Sequence, residues 1–262
     1  MGIFRKWALL GAFALLLPNA AAMAADMPEP PMIPGPAAAP VEFGSAWYLR
    51  GDVGYKIWST PSVTFFSSVD PADVRAYDNV SLANTWVAGL GFGYQFNQRF
   101  RADITADYEG AAAFGATVLC PGGLCGSTVE AAHVSAWTLL ANAYIDFPLM
   151  GEGPGNITPY IGAGIGVADV MWDGYTSTCA GACGPPSVSD YGSTSQWRLA
   201  WALMAGASFH LTNKLLLDAN YRFLDIANGL AVANVGTPSF GHSSYKDLFA
   251  HEFRIGIRYL IN

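Results

Sequence analysis

The chain contains 262 residues, 52% of them hydrophobic, and its 20 acidic residues outnumber 13 basic ones to give a formal net charge of −7. This balance disfavours nucleic-acid binding, because phosphates are held by clustered lysine and arginine side chains. Beyond the N-terminal segment no run of 18 apolar residues occurs, which argues against a transmembrane helix.

The N-terminal segment has the three parts of an export signal. Arg5 and Lys6 precede an apolar run over residues 7–17, and Ala22-Met23-Ala24 forms a small-x-small cleavage site. Residues 1–24 are therefore predicted to be a cleaved signal peptide, with residue 25 as the alternative end. A retained membrane anchor is disfavoured, because about 11 apolar residues are too few to span a bilayer.

A leader rich in proline and alanine follows over residues 25–46. Its composition predicts an extended, polyproline-type tether in the periplasm with little surface to bury. A contact of this leader with peptidoglycan or another partner is the alternative. No further boundary is evident, so residues 47–262 are predicted to form one domain.

Eight segments of this domain alternate apolar and polar residues, most of them over ten or more positions. In the last segment Phe253, Ile255 and Ile257 share one face, because successive side chains of a strand point to opposite sides. Strands this long behind a secretory signal are typical of a transmembrane β-barrel, since strands of soluble sheets usually have about 5–6 residues. The predicted strands cover residues 47–58, 85–96, 100–108, 135–147, 160–172, 196–210, 215–225 and 248–261.

The connections between these segments alternate in length. The long ones are residues 59–84, 109–134, 173–195 and 226–247, and the shorter ones are residues 97–99, 148–159 and 211–214. Outer-membrane barrels have short periplasmic turns and longer outer loops. The sequence therefore predicts an all-β fold, an eight-stranded antiparallel up-and-down transmembrane β-barrel with four long outer loops and both termini in the periplasm.

The apolar faces of the predicted strands have aromatic residues at both ends and smaller aliphatic residues between them. Such girdles mark the two membrane interfaces. The outer girdle is predicted to contain Trp86, Tyr108, Trp137, Trp197, Phe223 and Phe253, and the periplasmic girdle Trp47, Phe96, Phe100, Phe147, Phe209 and Tyr259.

The polar faces of the strands carry charges of both signs. Eight strands enclose a lumen barely wide enough for its own side chains, so charges there have to be paired. Alternating glycines on the second and fifth predicted strands would leave room for long side chains. The prediction is a solid, ion-paired plug built from Arg50, Asp52, Lys56, Arg101, Asp103, Asp107, Asp146, Arg198, Asp218, Arg222, Glu252, Arg254 and Arg258.

Four short motifs, in order along the chain, carry a resemblance to a known family. They are Ala24-Ala25-Asp26-Met27-Pro28, Trp47-Tyr48-Leu49-Arg50-Gly51, Pro159-Tyr160-Ile161-Gly162-Ala163-Gly164-Ile165-Gly166 and Gly256-Ile257-Arg258-Tyr259. The chain resembles the small eight-stranded outer-membrane barrels of alphaproteobacteria, porin-family surface proteins that include the 25- and 31-kilodalton outer-membrane antigens.

The resemblance implies a protein of the cell outer membrane that contacts membrane lipids and lipopolysaccharide and requires no cofactor. It also implies insertion by the barrel assembly machinery. The terminal strand of such barrels commonly ends in an aromatic residue, whereas here Ile261 takes that place and Asn262 follows.

Four cysteines form two local pairs in the long loops, Cys120 with Cys125 and Cys179 with Cys183. Disulfides persist in the oxidising compartment outside the cell membrane, so each pair is predicted to form a disulfide. Free thiols are the alternative. Zinc binding is disfavoured, because no histidine lies near either pair.

Loop residues offer weak candidates for chemistry. His242, Ser243, Ser244, Asp247 and His251 could serve a lipid-modifying barrel enzyme, but no nucleophile motif surrounds either serine. Haem or another ligand could be captured by exposed histidines and tyrosines of the loops, a property reported for some members of the resembled family. The predicted role is structural or surface-interacting and not enzymatic, with a narrow porin-like channel as the main alternative and an unidentified surface partner.

Overall fold

The computed structural model describes residues 46–119, 126–148, 153–180, 188–235 and 241–261. The chain divides into two units, Met1–Val41 and Glu42–Asn262, and every described residue belongs to the second. The predicted signal peptide and nearly all of the proline-rich leader lie outside the described residues. Within the described ranges, no helix is both long and apolar enough to cross a membrane.

Eight long strands form the main sheet, and all eight correspond to predicted strands. Their bounds are β1 Ala46–Trp58, β5 Thr85–Gln95, β6 Phe100–Leu119, β7 Ser127–Asp146, β8 Ile157–Ala180, β10 Thr194–His210, β11 Leu215–Ile226 and β14 Leu248–Ile261. Six shorter strands lie between them, namely β2 Ser62–Ser67, β3 Val74–Ala76, β4 Asp78–Leu82, β9 Val188–Asp190, β12 Gly229–Val235 and β13 Gly241–Lys246.

The main sheet closes on itself. Its order is β10-β11-β14-β1-β5-β6-β7-β8, and β8 pairs in turn with β10. Every pairing in this ring is antiparallel, and the first and last strands are joined from Trp47 opposite Ile261 to Trp58 opposite Ala250. The predicted eight-stranded up-and-down barrel is confirmed, and closure leaves the ring without an edge strand.

The outer face of the ring is apolar. Leu90, Ile104 and Ile165 expose 59–73% of their surface, which is the side that lipid would cover. The aromatic residues predicted for the two girdles all lie on this face, each exposed or half-buried. Alternation in the sequence produces this sorting, because the opposite side chains of the same strands point into the lumen.

Side chains close two of the short turns. The Asn97 side-chain oxygen accepts hydrogen bonds from the backbone N–H groups of Arg99 (2.8 Å) and Phe100 (2.9 Å). The Thr212 hydroxyl accepts from the backbone N–H groups of Lys214 (3.2 Å) and Leu215 (3.0 Å). Asparagine and threonine are turn formers for this reason.

The bounds of the predicted long loops need correction, because much of their length is strand in the structure. β6 continues to Leu119 and β7 begins at Ser127, so these strands extend well beyond the outer girdle. A β-bulge between Glu109 and Ala112 shifts the register of this pair. A bulge reverses which residues point inward, and this explains why the alternation, and the predicted strand, ended at residue 108.

Two of the six short strands join the main sheet, β4 beside β6 and β9 beside β8, and the other four form a second sheet in the order β12-β13-β2-β3. Val63, Val232 and Tyr245 of this sheet pack with Trp58 and Trp172 of the barrel in one buried apolar cluster. We call this sheet the cap. The interior was expected to be ionic throughout, but its outer part is apolar, because the cap supplies a hydrophobic cover that local sequence could not reveal.

Candidate functional site in the barrel lumen

Among the described residues, six cations and seven carboxylates are buried in the lumen. None of these thirteen residues exposes more than 7% of its surface, and they are Arg50, Lys56, Arg101, Arg222, Arg254, Arg258, Asp52, Asp103, Asp107, Glu109, Asp146, Asp218 and Glu252. Burying an ion costs several kcal/mol unless an opposite charge and hydrogen bonds compensate. The arrangement of partners therefore determines what the lumen can do.

Asp107 on β6 connects opposite walls of the barrel. One oxygen of its carboxylate accepts a 2.7 Å hydrogen bond from Arg222 Nη1, and the other contacts Arg254 Nη2. Arg222 lies on β11, four strands away from β6 in either direction around the ring of eight. The Arg222–Asp107 pair therefore crosses the full width of the lumen.

Two further carboxylates complete the surroundings of Arg254. Its Nε donates a 2.6 Å hydrogen bond to Asp52, and its Nη1 donates a 3.0 Å hydrogen bond to Glu252. Lys56 Nζ lies 3.2 Å from the same Glu252 carboxylate and also contacts Glu109. Together with the Arg222–Asp107 pair, these contacts link β1, β6, β11 and β14 across the lumen.

Glu109 is a lumen residue that the sequence did not reveal. The Thr138 hydroxyl donates a 2.6 Å hydrogen bond to its carboxylate, which also pairs with Lys56. The third strand was predicted to end one residue earlier. Glu109 lies an even number of residues from Asp103 and Asp107, and this spacing was the signal that could have placed it on the same face.

A second layer lies nearer the periplasmic end. Arg50 contacts Asp52 at 2.9 Å and Asp103 at 3.3 Å, and it donates a 3.0 Å hydrogen bond to the Tyr144 hydroxyl. Arg258 pairs with Asp218 at 3.3 Å. Tyrosine hydroxyls take part in this layer, whereas the predicted ion-pair network consisted of charged residues alone.

Arg101 shows how an aromatic ring can replace a second carboxylate. Its Nε lies 3.0 Å from Asp146, and its guanidinium stacks 3.8 Å above the Tyr144 ring and 4.5 Å from the Tyr160 ring. A cation over a ring face gains electrostatic stabilisation. Tyr160 belongs to β8, a strand that brings glycines instead of ions to the lumen.

Glycines leave the space that the long side chains fill. A Cβ atom at Gly89 would collide with the Asp107 carboxylate and with Arg254. A Cβ atom at Gly91 would lie 2.8 Å from Arg50 Cγ. These collisions agree with clearance as the reason for glycine at these positions.

Arg198 departs from the predicted network. It is half-buried, its guanidinium contacts Gln196, and it lies beside Tyr245 and Gly229 of the cap. Within the described ranges no carboxylate forms an ion pair with it. It belongs to the boundary between barrel and cap, because β10 begins at the outer end and residue 198 is reached before the strand descends to the ionic layers.

The candidate catalytic side chains do not converge. The Tyr221 hydroxyl and His251 Nδ1 are 2.7 Å apart, Ser243 bonds to Tyr77, and the Asp247 carboxylate accepts from Ser62 at 3.4 Å. His242 stacks on Phe66 with ring centroids 5.3 Å apart. Each of these groups has a partner outside the proposed constellation.

Cys179 is disulfide-bonded, and the other three cysteines lie outside the described residues. The local pairing therefore stays a prediction. Peptide mass mapping under non-reducing conditions should find Cys120 joined to Cys125 and Cys179 joined to Cys183, and reduction should leave the barrel folded. A Cys120–Cys179 linkage would join two outer hairpins and would contradict the local pairing.

A closed ring of eight strands, apolar and aromatic outside and ionic inside, defines an integral β-barrel of the bacterial outer membrane. Residues 12–259 match the family described as Outer membrane protein beta-barrel domain, and the chain belongs to this family. The predicted family, the β-barrel class and the outer-membrane location are confirmed.

Other proteins are similar to this chain. An uncharacterized protein of Brucella abortus is 37% identical over 247 residues, covering 83% of this chain and 80% of that protein. Outer membrane protein PagN of Salmonella typhimurium is 25% identical, covering 65% of this chain and 71% of PagN. Among solved structures, Neisserial surface protein A has 19% identity and a TM-score of 0.45, covering 83% of this chain and 99% of its own.

Proposed function

We propose that this protein is a closed, non-enzymatic barrel that holds a rigid β-structure at the cell surface, where it has a structural or surface-interaction role. The Arg222–Asp107 pair across the lumen carries this proposal. A solute channel requires a continuous water path, and a charged bridge between opposite walls interrupts it. Buried pairs of this kind also resist opening, because separating them leaves uncompensated ions.

The two ends of the lumen support the same reading. The layer containing Arg50, Arg101 and Arg258 lies between the cross-barrel bridge and the periplasm, and all three side chains are buried. On the outer side Trp58, Trp172 and other apolar residues pack against the cap. A permeating ion would meet a second paired layer on one side and a hydrophobic barrier on the other.

The outer structure is built to keep its shape. β6, β7 and β8 are continuous strands that extend from the membrane zone beyond the outer girdle, and we call this part the outer extension. β7 pairs with β8 from Asp146 out to Ser127. Inter-strand hydrogen bonds and the buried cap cluster restrain this extension. A rigid surface of this kind is better suited to contact with another molecule than to gating.

Single-channel recording of the refolded protein in a planar bilayer tests the proposal. The wild type is expected to show no steady conductance. Glu252→Ala removes a partner shared by Lys56 and Arg254, so this variant is expected to leak or to unfold more readily. Asp225→Ala, which removes a carboxylate from the outer face of β11, serves as the matched control.

Steady conductance on the nanosiemens scale from the unmutated protein would contradict the closed barrel. A narrow porin-like channel would then be the function. Identical behaviour of Glu252→Ala and Asp225→Ala would show that the lumen pairs do not seal the barrel.

A further inference from the structure

A cavity of about 160 Å³ opens in the outer extension, beyond the outer girdle, and none of its lining residues belongs to the ionic layers of the lumen. Residues of five strands line it, and four of the lining side chains are aromatic. A space near 150 Å³ accepts a molecule of about the size of benzene. The residues that matter to the argument are Phe65, Arg75, Tyr77, Glu130, Tyr175 and Tyr191.

Glu130 is the buried acid of this cavity, with only 3% of its surface exposed. One carboxylate oxygen accepts hydrogen bonds from Thr128 (2.6 Å) and Ser177 (2.7 Å). No cationic side chain within the described ranges pairs with it, in contrast to the lumen carboxylates. Burial raises the pKa of Glu130 above its ordinary value despite hydrogen bonding with Thr128, Ser177 and Tyr175, as expected for a carboxyl without a countercharge.

Among the described residues that line the cavity, the one cation is already compensated. Arg75 forms a two-pronged contact with Asp73, and its guanidinium lies 5.4 Å from the Phe65 ring centroid. These two charges cancel, so Glu130 leaves the cavity with an excess negative charge. An entering molecule with a positive charge would remove that excess.

The aromatic walls are held in place by one another. Tyr175 donates a 3.0 Å hydrogen bond to the Tyr77 hydroxyl, and its ring centroid lies 6.3 Å from that of Tyr191. Burial raises the pKa of Tyr77 to about 12, so its hydroxyl stays protonated. Neutral ring faces beside a carboxylate are the surroundings that organic cations favour.

We propose that this cavity binds an organic ammonium group, with Glu130 as its counter-ion and the tyrosine and phenylalanine rings as its walls. The size of the cavity suits a trimethylammonium head or the end of a lysine side chain. This inference rests on the surface-interaction role proposed above and names a ligand class for it. The ammonium site is tested by binding and the closed barrel by conductance, so either proposal can fail without the other.

Titration calorimetry on the refolded full chain, in a detergent without ammonium groups, tests the site. Choline and Nα-acetyl-lysine amide are the two probes, and their relative affinity distinguishes a lipid-type head group from a peptide. 3,3-Dimethylbutan-1-ol, the neutral isostere of choline, is the ligand control. We expect saturable binding of at least one ammonium probe, with the neutral isostere bound at least about tenfold more weakly.

Glu130→Gln keeps the shape of the side chain and removes its charge, so ammonium binding should weaken at least about tenfold. Asp78→Asn removes an exposed carboxylate outside the cavity, and its affinity should stay within about twofold of the wild type. Tyr191→Leu, which removes one ring, should weaken binding about three- to tenfold. If Glu130→Gln does not fold, as judged by the heat-dependent shift in electrophoretic mobility, Tyr191→Leu is the variant that tests the site.

Equal binding of choline and its neutral isostere would show a merely apolar cavity and overturn the proposal. So would an unchanged affinity of folded Glu130→Gln, or the absence of saturable binding by both ammonium probes.

Discussion

Asp107→Asn is expected to destabilise the folded barrel by about 3–5 kcal/mol, because it leaves two buried guanidinium groups short of their shared counter-ion. Arg254 retains Asp52 and Glu252, but Arg222 keeps only a 3.9 Å contact with Glu252. Water entering the lumen would reduce the loss. Urea-induced unfolding of the refolded protein, followed by tryptophan fluorescence, measures the change in the free energy of unfolding.

A double variant separates the cross-barrel pair from general damage. With Asp107→Asn already present, Arg222→Gln removes the stranded cation, so the two substitutions together should cost less than the sum of their separate effects. Asp225→Asn is the control for loss of a carboxylate outside the lumen, and it should stay within about 0.5 kcal/mol of the wild type. Strict additivity of the two lumen substitutions would show that Asp107 and Arg222 do not depend on each other.

Ile257→Lys is expected to impair membrane folding by about 2–4 kcal/mol, because it places a cation near the middle of the lipid face. Ile257 is 51% exposed on that face and lies opposite Gly51 and Leu217 of the neighbouring strands. Neither neighbour offers a counter-charge. Folding yield in lipid vesicles, read from the heat-dependent shift in electrophoretic mobility, measures the effect.

Leu49 provides the matched comparison. It is also 51% exposed, but it pairs with Tyr259 at the periplasmic girdle. Leu49→Thr should fold far better than Ile257→Lys, and Leu49→Lys should cost only about 0–1 kcal/mol because an interfacial lysine reaches water. Equal folding yields for Ile257→Lys and Leu49→Thr would mean that the two faces of the strands had been assigned wrongly.

The sequence by itself determined the number of barrel strands, their order of direction and the face that each turns to lipid. These properties depend on a two-residue period and on the lengths of the connections, which are local features of the chain. The last strand illustrates this, since Ile255 and Ile257 lie outside and Arg254 and Arg258 inside, as the alternation predicts. The bulge after Glu109 reverses that alternation, so the continuation of β6 to Leu119 was not predicted.

Only the tertiary structure decided which charges meet and what the outer segments form. Asp107 and Arg222 are 115 residues apart in the chain, and curvature of the whole ring sets their distance. The cap likewise joins strands from two distant segments, with Tyr245 opposite Val63. The cavity around Glu130 exists only where five strands converge. Periodicity records how a side chain points, whereas the partner it reaches depends on closure of the sheet and on register between distant strands.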